Sequence, residues 1–65
     1  MSNLTASDRH LLKSTAGDYG ITLSNADCET ADYQIRKNIC NIHPDADADL
    51  IDALYYETAK NYFRN

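Results

Sequence analysis

The chain has no tryptophan and no valine, and only one proline, two glycines, one phenylalanine and two cysteines among its 65 residues. So few glycines and prolines exclude a β-rich protein with many tight turns. Nowhere does an apolar run approach the roughly 18 residues that a membrane-spanning helix needs, and no basic segment leads into an apolar one as in a secretory signal. A basic footprint is also missing. Ten Asp and Glu against six Lys and Arg leave a net charge of −4, which disfavours phosphate backbones and anionic lipid. Glycine-rich phosphate loops and paired catalytic carboxylates are absent, and the chain has little volume for a water-excluding pocket. The expectation is a soluble, cytoplasmic non-enzyme that takes no cofactor, metal or small-molecule substrate and touches neither nucleic acid nor membrane.

What is there is enough for one domain spanning residues 1–65, near the lower size limit for a self-sufficient core. Eight of the apolar residues are Ala, and Leu, Ile and Phe together number twelve. Such a thin core points to help from a second chain, by self-association or by partner binding. The punctuation is sparse: Gly17, Asp18 and Gly20 mark one break, Ser24-Asn25 a helix start, and His43-Pro44-Asp45 a second break. These signals predict an all-α three-helix bundle, with helices over residues 5–19, 25–42 and 45–64. Ile21 and Leu23 alternate with polar neighbours for too few positions to make a strand, and read as a short, extended, buried connector between the first two helices.

The first segment starts at Thr5 or Ser7, either of which can cap a helix, and Asp8 suits the positive helix end. Leu12, Thr15, Ala16 and Tyr19 form its apolar stripe. In the second, Cys28, Ala31, Ile35, Ile39 and Ile42 fall within roughly 80° of one another, the arc of a core-facing helix. Tyr33, Arg36 and Cys40 form a separate patch, with Asp32 and Arg36 spaced for an exposed ion pair of about 0.3 kcal/mol. In the third, Asp45, Asp47 and Asp49 place negative charge on the first turn. Leu50, Ile51, Leu54, Thr58 and Tyr62 then form one apolar edge, and Tyr55, Tyr56, Ala59 and Phe63 carry the apolar arc to about 200° of the helix. The candidate core is Leu12, Ala16, Tyr19, Ile35, Ile39, Ile42, Ile51, Leu54 and Tyr62.

Asp45-Ala46-Asp47-Ala48-Asp49 resembles the opening of a calcium-binding loop, but Leu50 stands where that loop requires Gly and Tyr56 where it requires a bidentate Glu. Helix capping explains the acids better. His10, Cys28, Cys40 and His43 lack the paired spacing of a structural zinc site. A Cys28–Cys40 disulfide would have to span ~18 Å along one helix, beyond the ~7 Å limit, so both thiols should be free. A helix-turn-helix can be laid on Ala16 and Gly20, but its recognition helix would carry Asp27, Glu29 and Asp32 towards DNA. The run Asn38-Ile39-Cys40-Asn41 ahead of an acidic helix resembles bacteriocin immunity proteins, which are small, acidic and helical; it covers under a third of the chain, and no residue role is carried over from it.

The leading expectation is a protein-binding module that self-associates through its third helix as a homodimer. Tyr and Phe give large contact area at low entropic cost, so Tyr56 and Phe63, with Tyr55 and Ala59, are the candidate contacts and Tyr33 with Arg36 a second patch. The alternative is an acidic inhibitor or adaptor, encoded by a phage or another mobile element. It would engage a basic surface of a nucleic-acid-binding protein through Asp27, Glu29, Asp32, Asp45, Asp47 and Asp49. A metal-stabilised fold is the third.

Overall fold

Thr5 begins the first helix. Its hydroxyl accepts from the Asp8 backbone N–H at 3.1 Å, and the Asp8 carboxylate accepts from the Thr5 N–H at 3.4 Å, a reciprocal cap that satisfies donors with no intrahelical partner. In the computed structural model, which describes residues 4–64, this helix, α1, runs Ala6–Gly17. It stops two residues short of the expected end. After Gly17 the chain tightens into i→i−3 bonds, Tyr19 N–H to Ala16 and Gly20 N–H to Gly17. Gly20 then takes φ 75°, a left-handed conformation in which glycine meets no Cβ penalty. The reversal lets the Ile21 N–H reach back to the Ala16 carbonyl at 3.0 Å.

The second helix, α2 (Asn25–Ile42), has the expected bounds. Ser24 and Asp27 repeat the reciprocal cap at 3.1 and 3.2 Å. His43 ends α2 outside the helical region, as the steric demand of the following Pro44 on its neighbour requires. The third helix, α3 (Ala48–Phe63), starts later than expected. Residues 43–46 first close a turn, the Ala46 N–H donating to the His43 carbonyl at 3.0 Å, with Pro44 at the position that favours it. Asp47 is therefore the cap, accepting from the Leu50 N–H at 2.9 Å. Asp49 lies in the first turn and Asp45 outside the helix.

All three helices pack against one another in a small three-helix bundle. Its thinnest dimension is 15 Å, close to the Cα thickness of ~14 Å for two packed helices, so the interior is a single apolar layer. That layer is Leu4, Leu12, Ala16, Cys28, Ala31, Ile35, Ile39, Tyr55, Ala59 and Phe63. Leu11, Leu23, Ile51, Leu54 and Tyr62 are half-buried at its margin.

Two residues assigned to the core lie outside it. Tyr19 leaves the helical register with the tightened end of α1 and is exposed. Ile42 holds the core-facing angle of α2 but is the last residue of that helix, and at 72% exposure nothing covers it. In the connector Leu23 is half-buried and Ile21 exposed rather than enclosed. Conversely, Tyr55, Ala59 and Phe63, assigned to an outer contact surface, are buried. The core-facing line of α3 is rotated by roughly 115° from the Leu50–Ile51–Leu54–Tyr62 edge, within an apolar arc wide enough to permit either orientation. Asp32, assigned to the acidic surface, is only 8% exposed.

Candidate functional site

Asp32 sits beside the core stripe of α2, about 60° from Ile35 on a helical wheel, where α3 brings the Tyr55 ring over it. The Tyr55 hydroxyl donates to Asp32 Oδ1 at 2.6 Å, and Arg36 Nε donates to the same oxygen at 3.0 Å. The Arg36 guanidinium lies 5.2 Å from the Tyr55 ring centre and 4.0 Å from the Asp8 carboxylate of α1. This junction ties the three helices together. Burial pushes the Tyr55 phenol well above its ordinary pKa, and the hydrogen bond to a carboxylate adds to the effect, since a phenolate there would face a like charge. Burial works against the charge on Arg36, but its bond to Asp32 and the nearby carboxylates outweigh that and raise its pKa. Both groups keep one protonation state near neutrality, so the junction is structural, and Arg36 is engaged inside the chain.

The remaining predicted contacts are scattered. Tyr33 is exposed on α2 with the Lys37 ammonium 5.9 Å from its ring centre, and Tyr56 is exposed on α3 with Lys60 at 5.1 Å. Each ring thus has a cation from its own helix over one face. Asp27, Glu29, Asp45, Asp47 and Asp49 are exposed and form no ion pair among the described residues, although Asp27 and Asp47 cap helices. Cys28 is buried and Cys40 exposed, both as free thiols. Among the described residues no three His, Cys, Asp or Glu side chains gather where they could hold a metal ion, and no helix is long and apolar enough to cross a membrane.

A surface that the sequence did not single out is an open groove of about 810 Å³. Its apolar part is Ile21 and Leu23 from the connector, Ile42 from the end of α2, and Tyr62 and Phe63 from α3. Tyr62 meets Phe63 edge to face, with ring centres 5.1 Å apart at 83°, a favourable aromatic arrangement. Asn38, Asn41, Thr58 and Asn61 complete the lining. None of these residues is charged, in a chain where a quarter of residues are. The three Asn amides make no side-chain hydrogen bond among the described residues, which leaves their donors and acceptors open. The available signals were Ile42 at the end of a stripe and the Asn38–Asn41 spacing, but joining them to Asn61 and Ile21 required the tertiary fold.

No protein-family model matches the chain, and no curated protein and no solved structure is significantly similar to it.

Proposed function

We propose that this chain is a non-enzymatic protein-interaction module whose contact surface is the groove between the α1–α2 connector, the end of α2 and the end of α3. The observation that carries this reading is the charge-free lining around exposed Ile42. Loss of charge at the centre with aromatics present is the compositional mark of a protein interface. A solvated surface of an acidic chain has no reason to concentrate apolar side chains in one concavity. Self-association through α3 is less well supported, because Tyr55, Ala59 and Phe63 face inward and leave Tyr56 and Leu50 as the large apolar groups exposed on that helix.

The test is affinity purification from the native host with the wild-type chain and with Ile42→Asp. Ile42 is so exposed that the variant should keep its helical circular dichroism. A partner retained by the wild type and by Tyr56→Ala but lost with Ile42→Asp supports the groove. A partner lost with Tyr56→Ala and kept with Ile42→Asp moves the contact to the outer face of α3.

A second reading has its own support in the unpaired exposed acids Asp27, Glu29, Asp45, Asp47 and Asp49. These suit attraction to a basic protein surface, the inhibitor or adaptor role. Its mark is an affinity that falls steeply as salt is raised; affinity indifferent to salt removes it.

A further inference from the structure

The hydrogen bonds of the bundle fall into two self-contained sets. At the start of α1 Thr5 and Asp8 cap each other, and past its end the Ile21 N–H returns to the Ala16 carbonyl. Within the helix the buried Thr15 hydroxyl donates to the Leu11 carbonyl of its own helix at 2.7 Å. These groups of residues 5–21 are thus satisfied without help from the other helices. Across α2 and α3, by contrast, the buried Tyr55–Asp32 bond joins one helix to the other at 2.6 Å, and these two helices share the broadest contact in the bundle.

What joins α1 to that pair is of another kind. Its buried side chains are Leu12, Thr15 and Ala16, of which only Leu12 is large. Its polar ties are the Lys13 ammonium on the Asn25 side chain at 3.2 Å and the Asp8 carboxylate 4.0 Å from Arg36, both open to water, where such ties hold weakly. Between the two sets, Thr22 and Leu23 belong to no helix or turn. A segment lifts most readily at such a division, where few buried contacts and no buried hydrogen bond must break. The two ties also place Cys28 beneath α1. Asn25 and Arg36 bracket it along α2, and its thiol is fully buried in the same core as Leu12 and Ala16. Cys40, on the same helix, is exposed.

We propose that α1, with the turn that ends it, is a strap that lifts from the α2–α3 pair as one unit about Thr22 and Leu23. The lifted form keeps the Tyr55–Asp32 bond, gives up the contacts of Leu12 and Ala16, and uncovers the apolar face of α2 together with the Cys28 thiol. Access to that face is therefore controlled by the chain's own first helix.

The experiment is native-state labelling of the full chain with N-ethylmaleimide, read by mass, with Cys28 followed in Cys40→Ser and Cys40 of the wild type as the exposed reference. Cys28 should react far more slowly than Cys40, faster than global unfolding permits, and at a rate nearly flat at low urea, because lifting one short helix exposes little surface. Leu12→Ala should speed the reaction about thirtyfold or more, since the lifted form does not use the contact that is lost. Tyr55→Phe should raise the global unfolding constant about tenfold or more, yet leave Cys28 labelling within about twofold of its original rate, because α2 and α3 stay paired when α1 lifts. If Leu12→Ala fails to fold by circular dichroism, Leu12→Val, one methylene smaller, gives the same comparison at roughly fivefold.

Labelling that Tyr55→Phe speeds as much as it raises global unfolding would overturn the strap, since Cys28 would then open only with the whole chain. Labelling indifferent to Leu12 would overturn it too, by placing the opening in the first turn of α2 alone. Cys28 reacting as fast as Cys40 would mean that α1 covers nothing, and the strap would fall on that result as well.

Discussion

The Tyr55 hydroxyl of α3 reaches across the bundle to donate to the buried Asp32 carboxylate of α2 at 2.6 Å. Arg36 shares that carboxylate oxygen, so the acid serves two donors from two helices. Tyr55→Phe should cost about 1.5–3 kcal/mol, the range for a hydrogen bond to a charged group. Asp32→Ala should cost more, because it leaves both the phenol and the guanidinium without their acceptor. The single-variant costs should not add in the double variant. Urea unfolding midpoints at unchanged slope measure all three. A cost below about 0.5 kcal/mol for Asp32→Ala, the range of an ordinary surface substitution, would put Asp32 back on the solvated face.

The same contact predicts a limit to stability at high pH. The folded chain holds the Tyr55 proton more tightly than the unfolded chain does. Its contribution is therefore fully present below the unfolded tyrosine pKa, near 10, and is lost as pH rises from there towards the higher folded value. Above about pH 10 the unfolded state binds fewer protons than the native one, and this residue lowers stability by up to ~1.4 kcal/mol per pH unit. Tyr55→Phe should remove that share of the slope. Chemical denaturation from about pH 8 to about pH 11, a range that brackets the ordinary tyrosine pKa, compares the two chains; equal slopes would count against the contact.

How much of this was legible in the sequence depends on how local each signal is. Thr5 and Ser24 were readable as caps because a cap is decided within four residues, and the Cys28–Ala31–Ile35–Ile39 stripe because one helix's periodicity names one face. The start of α3 was misplaced because the Pro44 turn and a cap compete for the same acids, and Asp47 rather than Asp45 completes the cap. The rotation of α3 was not decided locally. An apolar arc of roughly 200° tolerates several orientations, and the one adopted brings Tyr55 to Asp32, an acid whose sequence context reads as surface. The groove was invisible for a related reason: its walls come from three segments, and Ile42 looks like core until one asks whether anything lies opposite it.

Gly17 and Gly20 should respond oppositely to the same substitution. A Cβ at either position meets nothing within 4 Å, so sterics with neighbours do not separate them. Gly17 is the last residue of α1 with ordinary φ, and Gly17→Ala should stabilise by about 0.5–1 kcal/mol through a less flexible unfolded chain. Gly20 holds φ 75°, where a side chain meets its own carbonyl, and Gly20→Ala should cost about 1–2 kcal/mol. Thermal unfolding of the two variants beside the wild type tests the pair, and a loss at Gly17 equal to that at Gly20 would contradict the assigned end of α1.

The orientation of α3 can be tested on two of its aromatics, Tyr56 and Phe63, seven residues apart and so on nearly the same line of an isolated helix. Their surroundings nevertheless differ: Phe63 is 6% exposed and packs in the core, whereas Tyr56 is 46% exposed with Lys60 over its ring. Phe63→Ala should cost about 3–5 kcal/mol, which is transfer of the ring plus the cavity left behind, and in so small a domain this approaches the whole stability. Tyr56→Ala should stay within about 1 kcal/mol, since it gives up one exposed cation–π contact and little burial. Because Phe63 also lines the groove, its removal confounds binding with folding. Ile42→Asp does not, and a chain that keeps its unfolding midpoint with Ile42→Asp while losing it with Phe63→Ala has the interior and the open face where they are described. Equal costs at Tyr56 and Phe63 would mean that α3 turns both rings to the same environment, and the groove would then lose its aromatic floor.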